Sequence, residues 1–155
     1  MNAVRSDYDK FLLEKKKQTA DFTRWLNWKG RGNFSRQYVG GDIGFVRDWI
    51  SNMFVLGMSW ENYGSYWVVD HIVPFRMFNI FDESDLKILW NYRNFMPLLI
   101  KDNLKKQGNV SFSYEVLYNL KDKDRIYAKL FDKVKPEFEW MNKYIDNYKL
   151  KIVFA

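Results

Sequence analysis

The chain has 155 residues, which sets the scale of one folded unit, and 47% of them are apolar and 28% charged, which excludes an intrinsically disordered polymer. It carries no Cys and a single His, so disulfides, thiolate catalysis, Cys-based zinc sites and any site needing two histidines from one chain are excluded. Twenty-five Lys and Arg against nineteen Asp and Glu give a formal charge of +6, the signature of a protein whose partner is a polyanion, most commonly nucleic acid.

The first 37 residues hold nine basic and four acidic side chains, so most of the surplus charge sits there. They read as helix: Ser6 is a candidate N-cap, Tyr8, Phe11 and Leu12 recur at helical spacing, and Phe22, Trp25 and Leu26 continue the stripe. Lys15, Lys16 and Lys17 form a basic run that suits either a solvated helix face or a DNA-contacting arm. Gly30 and Gly32 end this helix, and Gly30–Gly41 reads as loop. A second helix is expected from a cap at Asp42, with Ile43, Val46, Ile50, Met53 and Phe54 on one face and Gly57 as its stop. SYWVVDHIV is β-branched and aromatic and reads as a buried strand ending at Asp70-His71, because Pro74 breaks the ladder. A short helix follows over about 83–92, with Asp82 or Ser84 as its cap. FMPLLI reads as a second strand that Pro97 confines to an edge, and 102–107 as the start of another helix limited by Gly108. From 111 to 148 the apolar residues return at helical spacing, with Pro136 separating the last two helices. No apolar run reaches the roughly 20 residues of a membrane span, and MNAVRSDYDK lacks the apolar stretch of a signal peptide, so a soluble, cytoplasmic protein with no membrane partner is expected.

The chemistry concentrates around His71. A carboxylate beside an imidazole at a strand end suits metal-assisted hydrolysis, the carboxylate holding a hard cation and the imidazole taking a proton from water. Asp102-Asn103 opens the helix after the second strand and supplies one more oxygen; so sparse a set suits Mg²⁺, which keeps waters and completes its shell with phosphate. Arg76, Arg93, Lys101, Lys105 and Lys106 are near in sequence and suit phosphate binding. The same residues admit plainer roles: a structural histidine, Asn103 as a helix N-cap, and the Trp and Tyr residues as core.

The order of motifs adds to this. GMSWENYG, WVVDHIVPF, NYRNFMPLL and KDNLKKQ, spread over about residues 40–108, together resemble the HNH nuclease family, and more closely its phage-type branch. The resemblance implies an α+β fold: a ββα-metal core (the His-Me finger) with flanking N- and C-terminal helices. It divides a single domain of 1–155 into a basic helical N-terminal extension, 1–39, a nuclease core, 40–108, and a helical C-terminal extension, 109–155. Residue by residue, Asp70 matches the family's metal-binding carboxylate and His71 its general base. Asn94 matches the middle Asn, which chiefly braces the loop carrying the His, and Asn103 the third position, making this an HNN variant. Lys106 falls where the family often has Lys. Phe95 stands where Leu is usual, and the glycine often found at 107 is at Gly108 instead.

The function so implied is hydrolysis of DNA phosphodiester bonds with Mg²⁺ or Mn²⁺ on Asp70 and Asn103, and no structural zinc, since the Cys pairs some members use are missing. A monomer would nick; a homodimer would cut both strands. If the chain is phage-encoded, it works in the host cytoplasm. The alternative is a catalytically silent DNA-binding accessory protein that keeps the same scaffold, with RNA a lesser rival substrate. Near-balanced charge at Lys121, Asp122, Lys123, Asp124 and Arg125 suits packing or dimerisation as well as DNA contact.

Overall fold

The computed structural model describes residues 6–28, 32–106 and 110–154, and of these the side chains outside 104–111 and 144–154. Seven helices and two strands are described, dividing at Lys105/Lys106 into two compact units.

The first unit begins with α1 (Asp7–Leu26). Ser6 caps it by accepting from the Asp9 amide at 3.1 Å, as the sequence predicts, and Asp7 and Asp9 lie where the helix dipole favours negative charge. Its second half is core: Phe22, Trp25 and Leu26 are buried. Burying rings of this size contributes enough that truncating one to Ala costs roughly 3–5 kcal/mol.

The stretch expected to be loop contains a helix, α2 (Asn33–Tyr38). Its determinant is remote in sequence. Asp21 on α1 accepts from both the amide and the hydroxyl of Ser35, at 3.1 and 2.7 Å, and so holds the first turn from another element. Gly32 precedes it at φ +52, and a Cβ there would lie 2.4 Å from the Trp25 ring, so only glycine fits. Helix α3 (Ile43–Ser51) has the expected cap at Asp42, which accepts from the Phe45 amide at 2.8 Å. It ends six residues before Gly57, however, and Met53 and Phe54 follow it in a turn.

The segment between α3 and the sheet is held by its own polar residues. Asn62 accepts from the Ser59 amide at 2.9 Å and donates to the Gly57 carbonyl at 2.7 Å. The indole N–H of Trp60 donates to the Ser51 hydroxyl, and that of Trp67 to the Ser59 carbonyl, at 2.8 and 2.7 Å. The GMSWENYG motif is thus a folding element.

Strands β1 (Trp67–His71) and β2 (Phe95–Leu99) pair antiparallel, Trp67 opposite Leu99 and His71 opposite Phe95. Two strands are marginal alone. These are backed by Trp67, Trp90 and Phe95, which are fully buried, and by Phe22 of α1, whose ring centroid is 4.8 Å from Phe95 and 5.2 Å from Trp90. The basic N-terminal segment is therefore a structural part of this unit. Pro97 sits mid-strand opposite Val69, tolerated because a two-stranded sheet has only edges. Between the strands lies α4 (Glu83–Leu89), capped by Asp82 through the Asp85 amide; Ser84 donates to the same Asp82 carboxylate and is not the cap. The helix ends at Leu89, three residues short of the expected Tyr92, with Trp90 turning into the core.

β2 passes directly into α5 (Ile100–Lys106). The helix starts two residues before the expected Asp102, so Asn103 lies within its first turn and is not its N-cap.

The second unit is a helical hairpin of α6 (Val110–Leu120) and α7 (Arg125–Phe154). Leu117, Tyr127, Leu130, Phe131 and Val134 form its core, Tyr114 stacks on Phe138 at 3.8 Å, and Asp124 accepts from the Tyr127 amide to start α7. Pro136 was expected to separate two helices, yet α7 runs through it. Val134 and Phe131 lock the preceding turn into the hairpin core, and that packing outweighs the lost helical hydrogen bond. The overall class is mixed, helices with one small sheet, and no helix among the described residues is long and apolar enough to cross a membrane.

Candidate functional site

His71 is the last paired residue of β1, and the chain beyond it is clamped by one side chain. Asn94, fully buried just before β2, accepts from the Val73 amide through Oδ1 at 2.8 Å. Its Nδ2 donates to the Val73 carbonyl at 3.2 Å and to the Leu89 carbonyl at 2.9 Å, and its own carbonyl accepts from the Ile72 amide at 2.8 Å. One amide thus ties the loop after His71 to the end of α4 and to the start of β2. A carboxamide supplies an acceptor and two donors in one planar group, and Asn carries it on a shorter stem than Gln. Asn94 does not touch solvent, so its role here is to position the His71 loop.

The His71 ring packs nearly perpendicular to three aromatics: Trp90 at 4.7 Å, Phe75 at 4.9 Å and Phe95 at 5.6 Å between centroids. The residue as a whole is half-exposed, but Nε2 is closed off from solvent. Asp70 is also half-exposed and pairs with Met96. Because both residues are within the paired strand, their side chains leave on opposite faces. Asn103 is half-exposed on α5. Among the described residues no three His, Cys, Asp or Glu side chains gather into a metal-binding group.

Of the basic residues, Arg76 is exposed on the 3-10 turn Phe75–Met77 that follows the His71 loop, and Lys101 is exposed on α5. Arg93 is half-exposed, its guanidinium 4.6 Å from the Tyr92 ring and one N–H donating to Asn91 Oδ1 at 3.4 Å. The side chains of Lys105 and Lys106 lie outside the described residues. Lys15 is brought to the site from α1: its Nζ lies 5.1 Å from the centroid of Phe75, the ring that touches His71. Lys16 is exposed, and Lys17 pairs with Glu14 at 3.9 Å.

Sequence reasoning missed Gln18. It is buried on α1, accepts from the Trp90 indole at 2.8 Å and donates to the Ile80 carbonyl at 3.2 Å. It thereby fixes the indole that packs on His71. The signal was present: Gln18 falls seven residues after Phe11 and seven before Trp25, a polar residue inside an apolar stripe. Tyr63 packs against Trp67, and burial pushes its phenol pKa up, a hydrogen bond with Thr23 opposing.

Set beside known proteins, the chain is 32% identical over 104 aligned residues to an uncharacterized protein of Acanthamoeba polyphaga mimivirus, covering 58% of this chain and 46% of that one. It is 30% identical over 70 residues to a second uncharacterized protein of the same virus, covering 45% of this chain and 31% of the relative. The chain therefore spans less than half the length of these curated relatives. No family model matches it, and no solved structure matches it.

Proposed function

We propose that this chain is a metal-dependent endonuclease of the HNH type, hydrolysing phosphodiester bonds of DNA. The observation that carries the reading is Asn94. A buried asparagine ahead of the second strand, spending its whole side chain on the loop after a strand-terminal histidine, is the brace that the motif order implies. A two-stranded antiparallel sheet, with α4 in the connection between its strands and α5 directly after the second, also supports the reading.

The donor chemistry fits a hard cation. Asp70 offers a carboxylate and Asn103 an amide oxygen, both half-exposed, a set too sparse for a structural zinc and suited to Mg²⁺ or Mn²⁺. When bound, the ion neutralises phosphate charge and stabilises the departing oxygen. In this reading Asp70 and Asn103 would hold the ion and His71 would act on the scissile phosphodiester. His71 is the side chain that would take the proton of the attacking water. Trp90, Phe75 and Phe95 fix the ring, and the Asn94 brace fixes the backbone beneath it. Lys15, Arg76 and Lys101 hold the backbone of the substrate, which makes binding strongly salt-dependent.

A second reading is favoured by the enclosure of the His71 ring: a silent DNA-binding protein that retains the scaffold. Nicking of supercoiled plasmid separates the two. The endonuclease cuts with Mg²⁺ or Mn²⁺, stops with EDTA, and loses cutting but not DNA binding in His71→Ala. Equal cutting by wild type and His71→Ala removes His71 from the chemistry, and DNA binding without cutting in either metal establishes the accessory reading.

A further inference from the structure

At the C-terminal end of α1 the chain makes an expensive choice. Trp28, two residues past the helix, has φ +62, with its amide on the Trp25 carbonyl at 3.1 Å. This is the left-handed position where a helix usually ends on glycine, because a side chain there is strained. A large apolar ring is the least expected occupant, and this one is not repaid by burial, since 62% of Trp28 is exposed. Strain of this kind persists where the side chain has a task.

The ring borders a cavity of about 650 Å³, separate from the His71 site, walled also by Trp25, Arg36, Gly40 and Gly41, with Asp42 among its lining residues. The size suits one planar heterocycle. The chemistry selects among occupants. Arg36 and Asp42 both line the cavity, one charge of each sign, so the lining does not single out a free anion. The exposed Trp28 indole and glycine backbone favour a flat π system, and Arg36, exposed on the lining, supplies a cation for the phosphate of the same nucleotide. The Arg47 guanidinium lies 6.0 Å from the Trp28 centroid and donates to the Leu26 carbonyl at 2.8 Å, holding this corner together.

We propose that this cavity is a base-stacking subsite that takes one unpaired nucleobase of a single-stranded or locally opened DNA, with Trp28 as its platform. The proposal rests on the DNA-binding part of the function proposed above and not on its chemistry, so the two fail separately.

The test compares the full chain's binding, in EDTA and by fluorescence anisotropy, to a twelve-residue oligothymidylate and to an abasic strand with the same number of phosphates. Stacking contributes about 1–3 kcal/mol per base, so wild type and His71→Ala should both prefer the base-bearing strand by about 5- to 100-fold. Trp28→Gly should bind the two strands alike, and Trp28→Phe should retain part of the preference. Because glycine suits φ +62, the denaturation midpoint of Trp28→Gly should not fall, which excludes misfolding as the cause. A wild type that does not distinguish the two strands, or a Trp28→Gly that still does, overturns the proposal, whatever the plasmid assay shows.

Discussion

Replacing Asn94 tests the feature on which the proposed site depends. Asn94→Ala removes the acceptor for the Val73 amide and both donors to the Val73 and Leu89 carbonyls, in a place without solvent to replace them. A buried polar group left without its partner costs about 1–3 kcal/mol. Three such groups would sum to more, but the two carbonyls have second lone pairs and the loop can relax, so the expected loss is about 3–5 kcal/mol. That is a large part of the 5–15 kcal/mol typical of a domain. Asn94→Asp keeps the acceptor but turns a carboxylate toward two carbonyls. Its pKa in the folded state is then raised, so the stability it retains is present at acid pH and lost as pH rises through that value. Asn94→Asp should therefore be less stable at pH 7 than at pH 5, relative to wild type at each pH. Six of the seven tryptophans lie between residues 25 and 90, so their fluorescence during urea unfolding reports on the first unit. Cutting should fall further than DNA binding, because the loop after His71 loses its anchor. An Asn94→Ala protein within about 1 kcal/mol of wild type would refute the argument that this amide holds the loop.

Other substitutions probe the packing beneath the site. Gln18→Leu leaves the Trp90 indole and the Ile80 carbonyl unpaired and should cost about 2–3 kcal/mol by denaturant titration; a neutral result means that apolar packing alone holds Trp90. Gly32→Ala places a Cβ 2.4 Å from Trp25 at a positive φ, and a loss of at least about 2 kcal/mol is expected, with no loss showing that α2 shifts freely. Pro136→Ala restores the helical hydrogen bond from the amide of residue 136 to the carbonyl of residue 132 at an exposed position of α7 and should stabilise the hairpin by up to about 3 kcal/mol, read as exchange protection of the new amide at 136 and of those beside it; lowered protection of its neighbours would mean that the proline is needed there.

What the sequence made legible was local. Ser6, Asp42 and Asp82 cap their helices through side chain to backbone bonds spanning three residues, which composition alone can signal. The end of β1 at His71 was legible for the same reason, a β-branched run stopped by Pro74. What escaped depends on distant partners. Helix α2 exists because Asp21, fourteen residues away, holds Ser35. Helix α5 begins without a turn residue, directly from a strand, so Asp102 and Asn103 looked like its start. Pro136 read as a break because the hairpin that overrides it is tertiary. At the site, the motif order singled out Asp70, His71, Asn94 and Asn103, but not Gln18, whose partners lie 62 and 72 residues on.

These observations converge on Trp90. A two-stranded sheet in a chain without cysteine takes its rigidity from packing, and Trp90 is where that packing meets the histidine. Its indole N–H is held by Gln18 and its ring by Phe22, both on α1, while its ring also meets Phe34, Phe75 and Phe95, the last two of which pack on His71 as well. The same helix carries Lys15 above Phe75. One face of α1, carrying Lys15, Gln18 and Phe22 at i, i+3 and i+7, therefore both fixes the imidazole and brings positive charge to its rim. A segment that reads from composition as a basic arm is built into the site, and loss of its apolar stripe would disorder the histidine before any charge was removed.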